Sequence, residues 1–143
     1  MSTLTITIIQ TSLHWEDKTA NLRMLEEKIN SIPQKSEVIV LPEMFTTGFS
    51  MQPAKLADSM DGETVQWMKR MSAERKAILT GSVIISQAVD GSNEYYNRLI
   101  WMLPNGQYGV YDKRHRFAYA GEDKQFTAGT KRLKIGRASC ERV

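Results

Sequence analysis

Glu43 and Lys113 are the two side chains whose surroundings suit chemistry. Glu43 follows the run Val38-Ile39-Val40-Leu41-Pro42. Consecutive aliphatic residues of this kind read as a strand buried on both faces, the pattern of a central strand in a covered sheet. Pro42 has no N–H to give to a ladder, so pairing should stop there and release the carboxylate at a strand end. The polar loop Thr46-Thr47-Gly48-Phe49-Ser50 comes next. Ligands of layered α/β proteins collect at such ends, where a carboxylate is either an acid/base group or a solvated cap. Lys113 stands in Tyr111-Asp112-Lys113-Arg114-His115-Arg116-Phe117, directly after a predicted hairpin. A lone lysine is by default an exposed loop cation. Facing the same cleft as Glu43, it would instead stabilise negative charge on a substrate carbonyl oxygen and lower the pKa of a nearby nucleophile. Composition and spacing leave both readings open.

The elements that must position these groups follow from periodicity. Residues 4 to 9 alternate and then run apolar, which predicts a first strand. Over residues 17 to 32, Leu22, Leu25, Ile29 and Ile32 fall at helical spacing; Asp17 is the expected N-cap and Pro33 stops the pattern. The strand ending at Glu43 completes a β-α-β unit that should be parallel and right-handed. A second helix is predicted over 62 to 76, with Val65, Met68 and Met71 on one side and Trp67 near it. A buried strand over 77 to 85 follows, then turn chemistry at Asp90-Gly91-Ser92-Asn93. Residues 95 to 103 and 107 to 112 read as strands joined by Pro104-Asn105-Gly106, a hairpin. The order, β-α-β then α-β-β-β, predicts an α/β fold with a mixed sheet.

Composition narrows the class. The 143 residues suffice for one core, and 41% hydrophobic with 24% charged residues is globular. No apolar run approaches the roughly 18 residues that cross a bilayer. The start lacks a basic region followed by an apolar core, so no secretory signal is expected and the location read is cytoplasmic. A single cysteine, Cys140, excludes an internal disulfide and a cysteine-rich metal site. The net charge of +3 is mild. The late basic residues are interspersed with acidic ones and lack a recognition motif, so a solvated face is expected rather than a nucleic-acid surface.

Five short motifs decide what spacing alone leaves open. Leu41-Pro42-Glu43-Met44-Phe45, Gly81-Ser82-Val83, Tyr96-Asn97-Arg98, Pro104-Asn105-Gly106 and Tyr111-Asp112-Lys113-Arg114-His115 occur in this order along the chain. Together they resemble the nitrilase superfamily of carbon–nitrogen hydrolases. The stretch from Pro42 to Phe49, with Asp112-Lys113-Arg114-His115, looks most like the bacterial omega-amidase branch, which is similar to enzymes hydrolysing 2-oxoglutaramate and 2-oxosuccinamate. The resemblance covers about residues 4 to 135. It implies an α-β-β-α sandwich, incomplete at the C-terminus of this chain. It also implies hydrolysis of the side-chain amide of a small 2-oxo acid to the acid and ammonia, with no metal or cofactor.

Carried over by position, Glu43 matches the family's general base and Lys113 its oxyanion-stabilising lysine. In such enzymes the glutamate activates a cysteine thiol that attacks the amide carbon. Glu122 is the candidate for an accessory glutamate, with a surface position as the other reading; Phe45, Phe117 and Tyr119 are candidates for the substrate pocket or for packing. The nucleophile's usual Cys-Tyr-Asp-like context is missing. Cys140 lies in Gly136-Arg137-Ala138-Ser139-Cys140-Glu141-Arg142-Val143 with no apolar strand leading into it, and is read as non-catalytic. Residues 1–135 are therefore expected to be the amino-terminal part of a hydrolase domain. Residues 136–143 are expected to be a tail outside the family pattern, of the kind read from adapter DNA at a broken frame. The chain as written is expected to be inactive and prone to aggregate through uncovered strands; its parent is expected to be a homodimer. The other readings are a nitrilase or N-carbamoyl hydrolase, a degenerate relative acting as a binding protein, and a basic nucleic-acid-binding module.

Overall fold

The computed structural model describes residues 3–132. Its elements run β1 (Ile6–Ile8), α1 (Lys18–Asn30), β2 (Val38–Val40), α2 (Pro53–Leu56), α3 (Glu63–Arg75), β3 (Ile78–Val89), β4 (Ser92–Met102), β5 (Tyr108–Asp112), a 3-10 turn (Ala118–Ala120) and α4 (Glu122–Gln125). The five strands form one sheet in the order β1-β2-β3-β4-β5. β1, β2 and β3 run parallel, while β4 and β5 return antiparallel. The mixed α/β sheet expected from the sequence is present.

Local chemistry accounts for the helices. Asp17 caps α1 as expected, its Oδ1 accepting from the Ala20 N–H at 3.0 Å. Leu22, Leu25 and Ile29 then face inward and are buried, with Ile32 packed beside them. In α3, Val65, Met68 and Met71 are buried, and Trp67 meets the Phe45 ring with centroids 5.9 Å apart. Both helices cover the sheet face that carries Ile39, Leu79, Ile100 and Met102.

The hairpin departs from its expected boundaries. β3 extends to Val89 and pairs with Ser92, so only Asp90 and Gly91 make the turn; both have positive φ, 48° and 82°. A two-residue turn of that hand matches the strand twist, and Ser92 and Asn93 join the ladder instead of the loop. α2 and the 118–125 segment have no signature in the sequence, because elements this short carry no periodicity.

The opposite face differs in cover. Ile8, Val40, Thr80, Trp101 and Gly109 are register partners in one row across the sheet. Within residues 3–132 this face is open at β1: Ile6 is 52% and Ile8 72% exposed. The expected sandwich has two sheets; the described residues form one of them with its helical layer. Toward the far end of β3 the same face is covered, where Met44, Ile84 and Phe126 form a second buried cluster with Phe49, Met51 and Leu56 against it.

Gly81 sets how closely the chain after β2 approaches β3. A Cβ there would lie 2.8 Å from both Leu41 Cβ and Phe45 Cδ1. Gly81→Ala is expected to destabilise the fold by about 1–3 kcal/mol through this overpacking, read as a lower denaturant midpoint with unchanged slope.

Candidate active site

Glu43 lies in the turn that leaves β2. Pro42 ends the ladder after Leu41, whose N–H still donates to Thr80 O at 2.7 Å. Met44 takes a left-handed φ of 46°, a costly conformation for a residue with a side chain. It is held there by its N–H donating to Ser82 Oγ at 2.9 Å, by the Phe45 N–H on Ser82 O at 3.1 Å, and by burial of its own side chain. Ser82, recognised in the sequence only as part of a motif, therefore anchors the turn that aims Glu43.

Lys113 follows β5 directly, and its N–H donates to Asn97 O at 3.0 Å, prolonging the ladder by one bond. The neighbouring pair fixes that register. Arg98, buried on β4, grips its strand partner Asp112 with two bonds, Nε–Oδ1 at 2.6 Å and Nη2–Oδ2 at 2.9 Å. Side chains alternate across a strand, so Asn97 and Lys113 are turned to the face that bears Glu43.

There the groups converge. Lys113 Nζ donates to Glu43 Oε1 and to Glu122 Oε2, both at 2.9 Å. Asn97 Nδ2 donates to Glu43 Oε1 at 2.7 Å and to Glu122 Oε1 at 3.1 Å. The Phe117 N–H completes Glu122 through Oε2 at 2.6 Å. Lys113 Nζ also lies 5.1 Å from the centre of the Phe49 ring, a cation–π distance. Glu122 is fully buried, which excludes the surface reading.

Electrostatics keep Glu122 and Lys113 charged. Burial raises the Glu122 pKa, but the Phe117 N–H, the Asn97 amide and the Lys113 ammonium outweigh it, leaving the carboxyl below its usual value. Burial likewise works against the Lys113 charge, and its bonds to Glu43 and Glu122 override this and hold it above the usual lysine value. An ammonium has three N–H donors. Among the described residues the two glutamates take two of them, which leaves one for an incoming oxygen.

Two recesses meet at this cluster. One, of about 300 Å³, is lined by Val40, Pro42, Ser82, Asn97 and Leu99 along the sheet face. The other, of about 490 Å³, is lined by Phe49, His115, Arg116 and Phe117. Glu43 and Lys113 border both. Of the aromatic candidates, Phe117 lines the second recess. Tyr119 is 95% exposed and reaches the site only by lying against Phe117, centroids 6.0 Å apart. Of the two readings of Phe45, the structure shows packing: it is wholly buried in the core against Trp67, and Phe49 lies beside Lys113. The reason is the left-handed Met44, which turns the next side chain inward behind Gly81. Cys140 lies outside the described residues, as does the 136–143 stretch.

Among the described residues, no group of three His, Cys, Asp or Glu side chains could hold a metal ion, and no helix is long and apolar enough to cross a membrane. The arrangement offers a half-exposed carboxylate beside an ammonium with a spare donor. Those groups suit proton abstraction next to a developing oxyanion.

Known proteins share this frame. The chain is 42% identical over 135 residues to the omega-amidase YafV of Yersinia enterocolitica, an alignment covering 94% of this chain and 50% of that protein. It is 30% identical over 130 residues to the 2-oxoglutaramate amidase of Bacillus subtilis, covering 88% of this chain and 48% of that one. A carbon–nitrogen hydrolase superfamily protein from Xanthomonas campestris, crystallised with an arsenic adduct in its active site, superposes with a TM-score of 0.86 at 34% identity, over 95% of this chain and 50% of that one. The chain thus spans about half the length of the curated relatives it matches. The carbon–nitrogen hydrolase family profile matches residues 5–142, and the chain belongs to that family.

Proposed function

We propose that this chain supplies the general base and the oxyanion-stabilising cation of an amidase. Its substrate is the side-chain amide of a small 2-oxo acid, 2-oxoglutaramate or 2-oxosuccinamate, and its products are the acid and ammonia. The observation that carries this reading is the ammonium of Lys113 held 2.9 Å from both Glu43 and Glu122 at the mouth of two recesses. The identity to omega-amidase YafV and to a 2-oxoglutaramate amidase supports the substrate class.

In this mechanism the nucleophile is a cysteine thiol from the other half of the whole protein. Glu43 takes the thiol proton as sulfur attacks the amide carbon, and the free N–H of Lys113 receives the carbonyl oxygen as it becomes negative. The C–N bond then breaks, ammonia departs with the proton held by Glu43, and a thioester remains. Glu43 next accepts a proton from water, whose hydroxide displaces the thiolate and releases the acid. Glu43 returns that proton to the departing thiolate, which restores the thiol and the free carboxylate for the next turnover.

The test is ammonia release by the full-length protein from a matched panel: 2-oxoglutaramate, a simple aliphatic amide, a nitrile and an N-carbamoyl amino acid. The 2-oxo acid amide is expected to have the highest kcat/KM by tenfold or more. Preference for the nitrile or the carbamoyl compound would overturn the substrate class.

A further inference from the structure

We propose that Asn97 is a positioning residue of this site: its side-chain amide spends both N–H groups on the two glutamates, which pins Glu43 by one oxygen and leaves the other as the base. The proposal rests on the amidase reading for its kinetic consequence, though its geometry stands alone.

Asn97 is 3% exposed, in the middle of β4. Its Nδ2 lies 2.7 Å from Glu43 Oε1 and 3.1 Å from Glu122 Oε1. The orientation of the amide follows from charge, because the reverse would set a carbonyl oxygen against two carboxylates. An amide nitrogen only donates, so each contact needs a lone pair on a carboxylate oxygen. The same amide thus holds an oxygen of each glutamate, and on buried Glu122 it favours the ionised form. The main chain adds a third tie, since Asn97 O accepts from the Lys113 N–H at 3.0 Å. One buried residue thus fixes the spacing of Glu43, Lys113 and Glu122.

The oxygens of Glu43 are then unequal. Oε1 accepts from both Asn97 and Lys113. Among the described residues, Oε2 accepts from none, and the Glu43 side chain is 50% exposed. With Oε1 held at two points, Oε2 is the oxygen turned to an incoming thiol, and it takes the proton. On Glu122 the same amide binds Oε1 while Lys113 and the Phe117 N–H share Oε2. Glu122 has no oxygen left over, so its role is to steady the lysine.

The charged groups around Asn97 are Glu43 after β2, Lys113 after β5 and Glu122 at the start of α4, with His115 and Arg116 across the second recess. Arg98 and Asp112 pair on the opposite face of β4 and β5. Asn97→Asp keeps the shape and adds a third carboxylate beside two others; like charge raises carboxylate pKa values. Asn97→Leu removes the two donors and has the same sign.

Both variants are tested in the full-length protein by carbon NMR titration of labelled glutamate carboxyls and by steady-state kcat. The Glu122 carboxyl is expected to titrate at higher pH in each variant, with kcat at least roughly 10-fold lower. Unchanged Glu122 titration in Asn97→Asp overturns the proposal, even if activity falls through misfolding. If no amide is turned over by the wild-type protein, the amidase reading fails while the NMR titration still decides the role of Asn97. Asn97→Asp, being isosteric, carries the test where Asn97→Leu does not fold.

Discussion

Glu43→Gln in the full-length protein is expected to lower amide turnover by roughly 10²–10⁴-fold, the usual contribution of a positioned general base. The substitution is nearly isosteric. A glutamine oxygen can still accept from Lys113 Nζ and Asn97 Nδ2, which both meet Oε1 in the native site. What disappears is the capacity of the second oxygen to take a proton. The loss should therefore fall on kcat, with little change in KM and in thermal midpoint. Steady-state ammonia release paired with a melting curve checks this. Near-native turnover by a folded variant would mean that another group removes the thiol proton.

Lys113→Met should cost both activity and stability. On the proposed amidase mechanism, removing the lysine donor is expected to lower kcat by roughly 10²–10³-fold. The fold suffers because Glu122 is wholly buried and loses its cation, keeping only Asn97 and the Phe117 N–H. Lys113 is 29% exposed, so water reaches the pair and moderates the penalty. About 1–3 kcal/mol is expected, below that for breaking a fully buried pair.

The pH dependence has a definite sign. The Glu122 pKa is depressed in the folded protein, so the stability it contributes is present above its unfolded value and is lost as pH falls through the folded one. The Lys113 pKa is raised, so its contribution is complete below its unfolded value and is lost only as pH rises through the folded one. Across the neutral range both contributions are intact. Lys113→Met should thus be most destabilising near neutrality, and the gap from the parent should narrow in acid as Glu122 takes up a proton. Denaturant titrations of both proteins at neutral and acid pH measure this. A gap that is constant with pH would show that the methionine acts through packing alone.

Several features of this protein were legible from neighbours in sequence. Asp17 and the Leu22, Leu25, Ile29 stripe specify α1 because caps and helical faces depend on residues three or four positions apart. Pro42 ends the β2 ladder because it lacks an N–H, and that local fact puts Glu43 at a strand end. The Asp90-Gly91 turn was visible, but its width was not. Whether Ser92 and Asn93 belong to turn or strand depends on pairing with Val89 and Ala88.

The site itself formed beyond the reach of such rules. Asn97 lies 54 positions from Glu43 and 25 from Glu122, and Lys113 lies 70 from Glu43. No local preference measures those distances. The sheet register and the Arg98–Asp112 clamp bring Asn97 beside Lys113, and the turn at Gly121, with φ of 80°, carries Glu122 back beneath them. Phe45 illustrates the same division. From sequence it could line a pocket or pack, and the left-handed Met44 sends it into the core. Charge, periodicity and proline act over a few residues, so they specify which groups are available for chemistry and which elements carry them. Tertiary structure decided which of those groups meet, because their meeting depends on strand order and on burial that compensates strain and desolvation.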